Sequence, residues 1–262
     1  MSIRSFAAAF ALLSLNVLSF IPDAGATPAP AKTAAAEKPE APAAPPPSPL
    51  DAAFAAARKT LTAGPADIPF ADQAVLHLPA GFVYIPPTEA AGVMTAMGNR
   101  AGTNLLGLIF PAGDGSWFVV ARFENIGYVR DDDAKDWNAD ELLQNIKDGT
   151  AEGNKDRAAR NIPALEVLGW AEVPRYDAAT HRLVWSISAQ DQGAPPDAAK
   201  NINYNTYALG RDGYISLNLI TDLSAIAAEK PIAQQLLAAL DFNEGKRYAD
   251  FNEATDHVAE YG

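Results

Sequence analysis

The chain has 262 residues and no cysteine, and its 32 acidic residues outnumber its 20 basic ones, which gives a formal net charge of −12. This balance disfavours nucleic acid as a partner, because phosphate would be repelled and no cluster of Lys or Arg offsets the repulsion. The absence of cysteine excludes disulfide bonds, thiol catalysis and Cys-ligated metals.

The first 26 residues have the features of a secretory signal peptide. Arg4 supplies a positive charge, an apolar stretch runs from Phe6 to Phe20, and Ala24-Gly25-Ala26 has the small side chains that signal peptidase accepts. The stretch is shorter than the ~20 residues of a membrane span. We therefore expect an exported protein, in the periplasm or at the outer side of the cytoplasmic membrane. The alternative is an uncleaved N-terminal anchor.

Residues 27–48 are predicted to be a Pro/Ala-rich linker. Apart from Pro, they include no apolar side chain larger than Ala, so they cannot build a core and should form an extended spacer. Residues 49–262 are predicted to form a single α+β domain.

The domain is predicted to begin with a helix. Ser48 can cap it, Pro49 suits its first position, and Asp51 completes a capping box. Strands are predicted at 74–78 and 82–85, a short helix at 89–97, and a hairpin from strands 105–110 and 117–122.

A second long helix is predicted after Asn138, which can cap it, and its polar end beyond Gly149 is expected to fray or to project into solvent. A four-strand meander follows at 166–173, 182–189, 202–209 and 214–221, and Pro231 is predicted to start the last helix. This order predicts an α+β fold, in which a largely antiparallel sheet of hairpins and the meander is covered by helices.

The common catalytic motifs are absent from the sequence. It has no Walker loop, no dinucleotide fingerprint, no Gly-x-Ser-x-Gly elbow and no His-Glu-x-x-His. The three histidines, His77, His181 and His257, are far apart and share no metal-ligand spacing. The sequence therefore predicts neither a cofactor nor a catalytic residue, and it favours a protein that is not an enzyme.

One acidic run has two interpretations. Its four aspartates are close enough to offer oxygen ligands to a hard cation such as Ca²⁺: Asp131, Asp132, Asp133 and Asp136. The run lacks the glycine and the distal Glu of an EF-hand loop. It also precedes the helix that Asn138 caps, where acidic residues favour the positive end of the helix dipole. Both interpretations stay open at this point.

A second candidate site follows from the register of the last hairpin. The Gly210–Gly213 turn predicts that Leu209 pairs with Tyr214. Five polar residues then share one face of the hairpin: Asn203, Asn205, Tyr207, Ser216 and Asn218. Ser186 and Ser188 of the preceding strand are expected to extend this polar side. Uncharged groups that both donate and accept suit a ligand-binding concavity, or equally a buried polar network beneath a helix.

Several stretches resemble a known family: LGLI (106–109), WFVV (117–120), GYVRDDDAKDW (127–137), GW (169–170), PRYD (174–177), HRLVW (181–185), NYNT (203–206), GKRYADFN (245–252) and TDHVAEYG (255–262). The sequence from Asp67 to Gly262 is similar to bacterial membrane-anchored proteins with the domain of unknown function 2167. The resemblance implies an envelope location and no known activity. It also implies membrane association through a C-terminal anchor that is absent from this chain. The order of elements is further similar, at the fold level only, to the extrinsic P subunit of photosystem II.

These observations favour an exported, non-catalytic envelope domain that binds a partner protein or a small ligand. The alternatives are an envelope hydrolase that uses carboxylates of the acidic run or His181, and a structural role in envelope integrity.

Overall fold

The structure is a computed structural model that describes residues 47–131, 138–195 and 197–260. The predicted signal peptide and residues 27–46 of the predicted linker lie outside the described residues. The described part contains four α-helices: α1 (Pro49–Ala57), α2 (Pro87–Ala96), α3 (Ala139–Ala159) and α4 (Ile226–Ala238). A short 3-10 helix, Tyr248–Asp250, follows near the end.

Eleven strands complete the described fold: β1 (Thr62–Ala63), β2 (Ala66–Phe70), β3 (Ala74–Leu78), β4 (Phe82–Ile85), β5 (Leu105–Pro111), β6 (Phe118–Glu124), β7 (Leu165–Asp177), β8 (Arg182–Asp191), β9 (Asn201–Leu209), β10 (Tyr214–Asp222) and β11 (Leu240–Phe242). Eight of them form one sheet in the order β1-β4-β5-β6-β10-β9-β8-β7, and three form a second sheet in the order β11-β3-β2. All the paired strands are antiparallel. The predicted α+β class and the mostly antiparallel pairing are confirmed.

The helix starts follow local chemistry, with one exception. Ser48 and Asp51 form the predicted capping box of α1, and the Asn138 side chain accepts from the first backbone N–H groups of α3. The prediction for α4 is wrong, because the helix begins at Ile226 and contains Pro231. Three apolar side chains of α4 pack in the core: Ala233, Leu236 and Leu237. This packing outweighs the backbone hydrogen bond that a proline removes.

The polar end of α3 does not fray. The helix continues to Ala159, and the Asn154 side chain bonds the backbone of Leu165 twice, donating to its oxygen and accepting from its nitrogen, each at 2.8 Å. These two bonds attach the far end of α3 to the start of β7.

Both faces of the large sheet are covered. On the first face α4 and the small sheet pack against residues such as Tyr204, Ile215 and Leu217. On the second face the apolar residues form two separate clusters. One cluster joins α1 and α2 to β5, β6 and the end of β10, and the other joins α3 and the 3-10 helix to β8, β9 and the start of β10. The candidate sites lie on this second face.

Candidate functional site

The five residues predicted from the hairpin register lie together on the second face of the large sheet. Tyr214 pairs with Leu209, as predicted, which places Ser216 opposite Tyr207 and Asn218 opposite Asn205. Asn203 follows opposite Ile220. We call Asn203, Asn205, Tyr207, Ser216 and Asn218 the polar stripe.

The expectation for the two serines of β8 is wrong. Trp185 pairs with Asn205, whereas Ser186 pairs with Tyr204, a residue of the first-face core. Directly opposed residues share a face, so Ser186 and Ser188 lie on the side away from the polar stripe. The stripe therefore borders the apolar residues of β8 and not its serines.

The polar stripe separates the two apolar clusters of the second face. One row across the strands reads Val120, Asn218, Asn205, Trp185, and the next reads Phe118, Ile220, Asn203, Ile187. Each row begins in the cluster under α1 and α2 and ends in the cluster under α3. The stripe thus marks the boundary between the two sets of covering helices.

Three amide oxygens of the stripe are buried without a hydrogen-bond partner. Among the described residues nothing donates to the Oδ1 atoms of Asn203, Asn205 and Asn218. The residue Asn205 is only 1% exposed, and its Nδ2 donates to the Asn203 backbone oxygen at 3.1 Å. The Nε1 of neighbouring Trp185 is also buried and unpaired within the described part. Each such group costs about 1–3 kcal/mol in lost hydration.

Sequence reasoning missed Arg122, which lies opposite Ser216 at the side of the stripe. Arg122 is 5% exposed, and its Nη1 donates to the Ala101 backbone oxygen at 2.5 Å and to Asn104 Oδ1 at 3.0 Å. Its Nη2 is buried and has no partner in the described part of the chain. The Asn104 amide in turn donates to the buried Glu124 carboxyl.

Burial favours the neutral forms of both Arg122 and Glu124. It lowers the pKa of Arg122, an effect that the nearby Glu124 charge opposes. Burial likewise raises the pKa of Glu124, against the opposing effects of the Asn104 hydrogen bond and the Arg122 charge. The sequence carried a signal for these residues. Alternate side chains of a strand share a face, so Arg122 and Glu124 of β6 are on the same face as the buried Val120.

A second group, which we call the His181 cluster, unites residues from distant parts of the chain: Asp131, Tyr176, His181 and Tyr248. The Tyr176 hydroxyl donates to Asp131 Oδ2 at 2.6 Å and lies 3.2 Å from His181 Nδ1. His181 Nδ1 is 3.3 Å from the same carboxylate oxygen, and its ring stacks on Tyr248 at 4.0 Å between centroids. His181 has a φ of 52°, in the left-handed region that non-glycine residues rarely adopt.

The cluster stabilises the ionised carboxylate of Asp131. Burial alone would raise the pKa of Asp131, but the hydrogen bond from Tyr176 and the contacts with Tyr248 and His181 outweigh it and hold the pKa below the ordinary value. The Tyr248 hydroxyl itself donates to the Val129 backbone oxygen at 2.9 Å. Burial and the neighbouring carboxylate raise the pKa of Tyr176 and of Tyr248, so both phenols stay protonated as donors. The arrangement fits an oriented imidazole beside a fixed negative charge.

The structure does not test the metal site predicted in the acidic run. Asp132, Asp133 and Asp136 lie outside the described residues, and Asp131 is engaged by the His181 cluster. Within 47–131, 138–195 and 197–260, no three His, Asp or Glu side chains come together in a way that could hold a metal ion.

The described residues form a two-sheet α+β fold. The polar stripe lies between the two apolar clusters on the second face of its large sheet. The sequence model of a family described as "Protein of unknown function (DUF2167)" matches residues 62–262, and the chain belongs to this family. None of the curated proteins matches the sequence. No helix among the described residues is long and apolar enough to cross a membrane.

Among solved structures, the chain is similar to cyanobacterial PsbP (CyanoP) from Synechocystis sp. PCC 6803. That likeness has a TM-score of 0.41 and 9% sequence identity, and it covers 70% of this chain and 92% of the other.

Proposed function

We propose that the protein is an exported, non-catalytic binding module of the cell envelope, and that the polar stripe holds its ligand. Export is supported by the signal-peptide features of the first 26 residues. The resemblance to membrane-anchored proteins supports a place at the outer side of the cytoplasmic membrane or in the periplasm.

One observation carries the proposal: the unpaired, buried polar atoms of the second face gather in one place. Buried polar groups in native proteins are almost always hydrogen-bonded, so several orphans side by side need a common explanation. The orphans comprise both acceptors, on Asn203, Asn205 and Asn218, and donors, on Arg122 and Trp185. A small polar ligand with its own donors and acceptors would satisfy both kinds.

A crevice lies at the boundary between the two sets of covering helices, although no residue of the polar stripe lines it. The crevice, of about 170 Å³, separates the turn after α2, at Gly98–Arg100, from the second half of α3. Leu165 lines this crevice and pairs with Asp191 at the far end of β8, so the crevice lies toward the Asn203 end of the stripe. Entry to the stripe there would require α3 to move away from α2, which breaks the Arg100–Asp156 ion pair and the hydrogen bond from Arg160 to the Gly98 backbone oxygen.

The test is to purify the protein from its own envelope fraction and to measure its mass by native mass spectrometry. We expect the wild type to retain a small molecule that the Asn205→Leu/Asn218→Leu variant lacks. The matched control is Thr206→Val, because Thr206 neighbours Asn205 on the same strand but faces the first-face core. A wild type that carries nothing, or a double variant that keeps the molecule, contradicts the proposal.

A second candidate, an envelope hydrolase, is favoured by the contact between His181 and Asp131. A carboxylate at Nδ1 orients the imidazole and leaves Nε2 to exchange a proton with a substrate or a water molecule. If this candidate is right, His181→Asn abolishes hydrolysis of isolated envelope material. Asparagine tolerates the left-handed backbone, so the turn should keep its shape.

A further inference from the structure

A groove at one end of the large sheet is independent of both candidate sites. Four separate segments form it: the turn after β2, the end of β6 with the loop that follows, the β9–β10 turn, and the C-terminal segment. Its volume is about 590 Å³, within the range of pockets that hold small ligands. We call it the end groove.

The charged groups of the end groove are paired with one another. Lys246 Nζ lies 2.6 Å from Asp212 Oδ2 and 3.2 Å from Asp72 Oδ2. Asp256 receives two hydrogen bonds from Arg211, each 2.7 Å long. These contacts raise the pKa of Lys246 and hold the pKa of Asp256 well below its usual range, so both stay charged.

Gln73 adds an unpaired buried group to the groove wall. The residue is 4% exposed, and its Nε2 donates to Asp72 Oδ1 at 2.8 Å and to Asp212 Oδ2 at 3.3 Å. Its Oε1 is buried and has no partner among the described residues. The amide end of Gln73 therefore lies among the carboxylates of the groove wall with an unused acceptor, which a ligand donor would satisfy once the side chain turns it toward the groove.

The charge pattern selects the class of ligand. Each charged group of the groove already has a partner of opposite sign, because Lys246 lies between Asp72 and Asp212, and Asp256 is bound by Arg211 behind the wall. An ion would have to compete with these pairs, whereas the hydroxyl groups of a neutral ligand both donate and accept, which matches a wall of mixed donors and acceptors. We propose that the end groove binds a neutral polyhydroxyl ligand, such as a sugar.

His257 makes this proposal directly measurable. The chain has three histidines, and only His257 lines the end groove, whereas His77 lies on β3 and His181 belongs to its own cluster. The imidazole C–H resonances of the purified protein can therefore be followed in one proton NMR titration, with two histidines as internal references.

The probes are glucose, N-acetylglucosamine, maltose and lactose, with ethylammonium and acetate as charged comparisons. We expect a saturable shift of His257 with at least one sugar, while His77 and His181 stay in place. A response to the disaccharides alone also supports the site and indicates that it reads a glycosidic chain. A response only to ethylammonium or acetate overturns the class of ligand, and no shift with any probe overturns the site.

Two variants locate the binding. Asp72→Ala removes an exposed carboxylate that holds Gln73, and we expect it to weaken the sugar about tenfold, the equivalent of one charged hydrogen bond. Gln73→Leu removes the buried acceptor and should weaken it similarly; if that variant fails to fold, Asp72→Ala still decides. The matched control is Asp67→Asn, an exposed aspartate beside His77, which should leave sugar affinity unchanged. Equal affinity in Asp72→Ala and the wild type would overturn the assignment.

Discussion

Replacing Asn218 by leucine should make the protein more stable. The Oδ1 of Asn218 is buried and has no hydrogen-bond partner within the described part of the chain. Leucine has a similar size, and Val120 lies directly opposite on β6, so the new side chain gains an apolar neighbour. Removal of the orphan amide should return its desolvation cost, about 1–3 kcal/mol.

The assay is equilibrium unfolding in urea at pH 7, with the slope m compared between variants. For a chain of this size each kcal/mol corresponds to roughly 2–4 °C in the melting temperature, which gives an independent measure. The matched control is Asn205→Leu, which removes an orphan oxygen but also breaks the 3.1 Å bond to the Asn203 backbone. Its gain should therefore be about 1 kcal/mol smaller than that of Asn218→Leu.

The reasoning is refuted if Asn218→Leu destabilises the protein by about 1 kcal/mol or more, the size of a hydrogen bond that was being made. In that case the amide has a structural partner, and the stripe belongs to a satisfied interior network. If the variant gains stability and also loses the ligand, Asn218 is a functional residue that lowers the stability of the fold.

Three further predictions concern ionisable groups. Arg211 holds the pKa of Asp256 below its ordinary value of 3.8. The wild type should therefore be more stable than Asp256→Asn by its full margin above pH 3.8, and this margin should shrink as the pH falls below that value. A margin that does not change with pH would contradict this prediction. Burial raises the pKa of Glu124, so ionisation of this carboxyl opposes folding. As the pH rises above 4.5, the wild type should lose stability relative to Glu124→Gln, which urea midpoints at several pH values would show. A constant difference between the two proteins would contradict the burial argument. Tyr176→Phe should raise the pKa of Asp131, because a 2.6 Å hydrogen bond to the carboxylate is lost; carboxyl carbon NMR would detect this, and an unchanged pKa would mean that the bond does not stabilise the charge.

Local chemistry was enough to predict the parts of the fold that depend on neighbouring residues. The Gly210–Gly213 turn fixed which residues of β9 and β10 are opposite, and with that the whole polar stripe. The same holds for the capping box at Ser48, whose partners are three residues apart.

Of the small sheet, the sequence predicted only β3; β2 and β11 escaped prediction because both are short and β11 pairs with a distant segment. In β2 only Ile68 and Phe70 are buried, and Pro69 between them is unusual for a strand. The strand β11 has three residues and pairs with β3 across more than 160 positions of sequence, at Leu240 and Leu76. No hydrophobic pattern near either strand indicates that β11 and β3 pair. The small sheet is stabilised by packing against the first face of the large sheet, which only the folded structure shows.

The same distinction explains which site residues could be foreseen. Asp131 and His181 were each noted in the sequence, but 50 positions separate them and only the fold makes them neighbours. Arg122 was visible as a charge in an apolar strand, yet its meaning depends on Ser216 lying opposite it in the sheet. A charge in such a position costs desolvation that packing alone does not return. Within the described part of the chain its Nη2 has no partner, like the orphan amides beside it, and the proposed ligand site rests on this group of unpaired atoms.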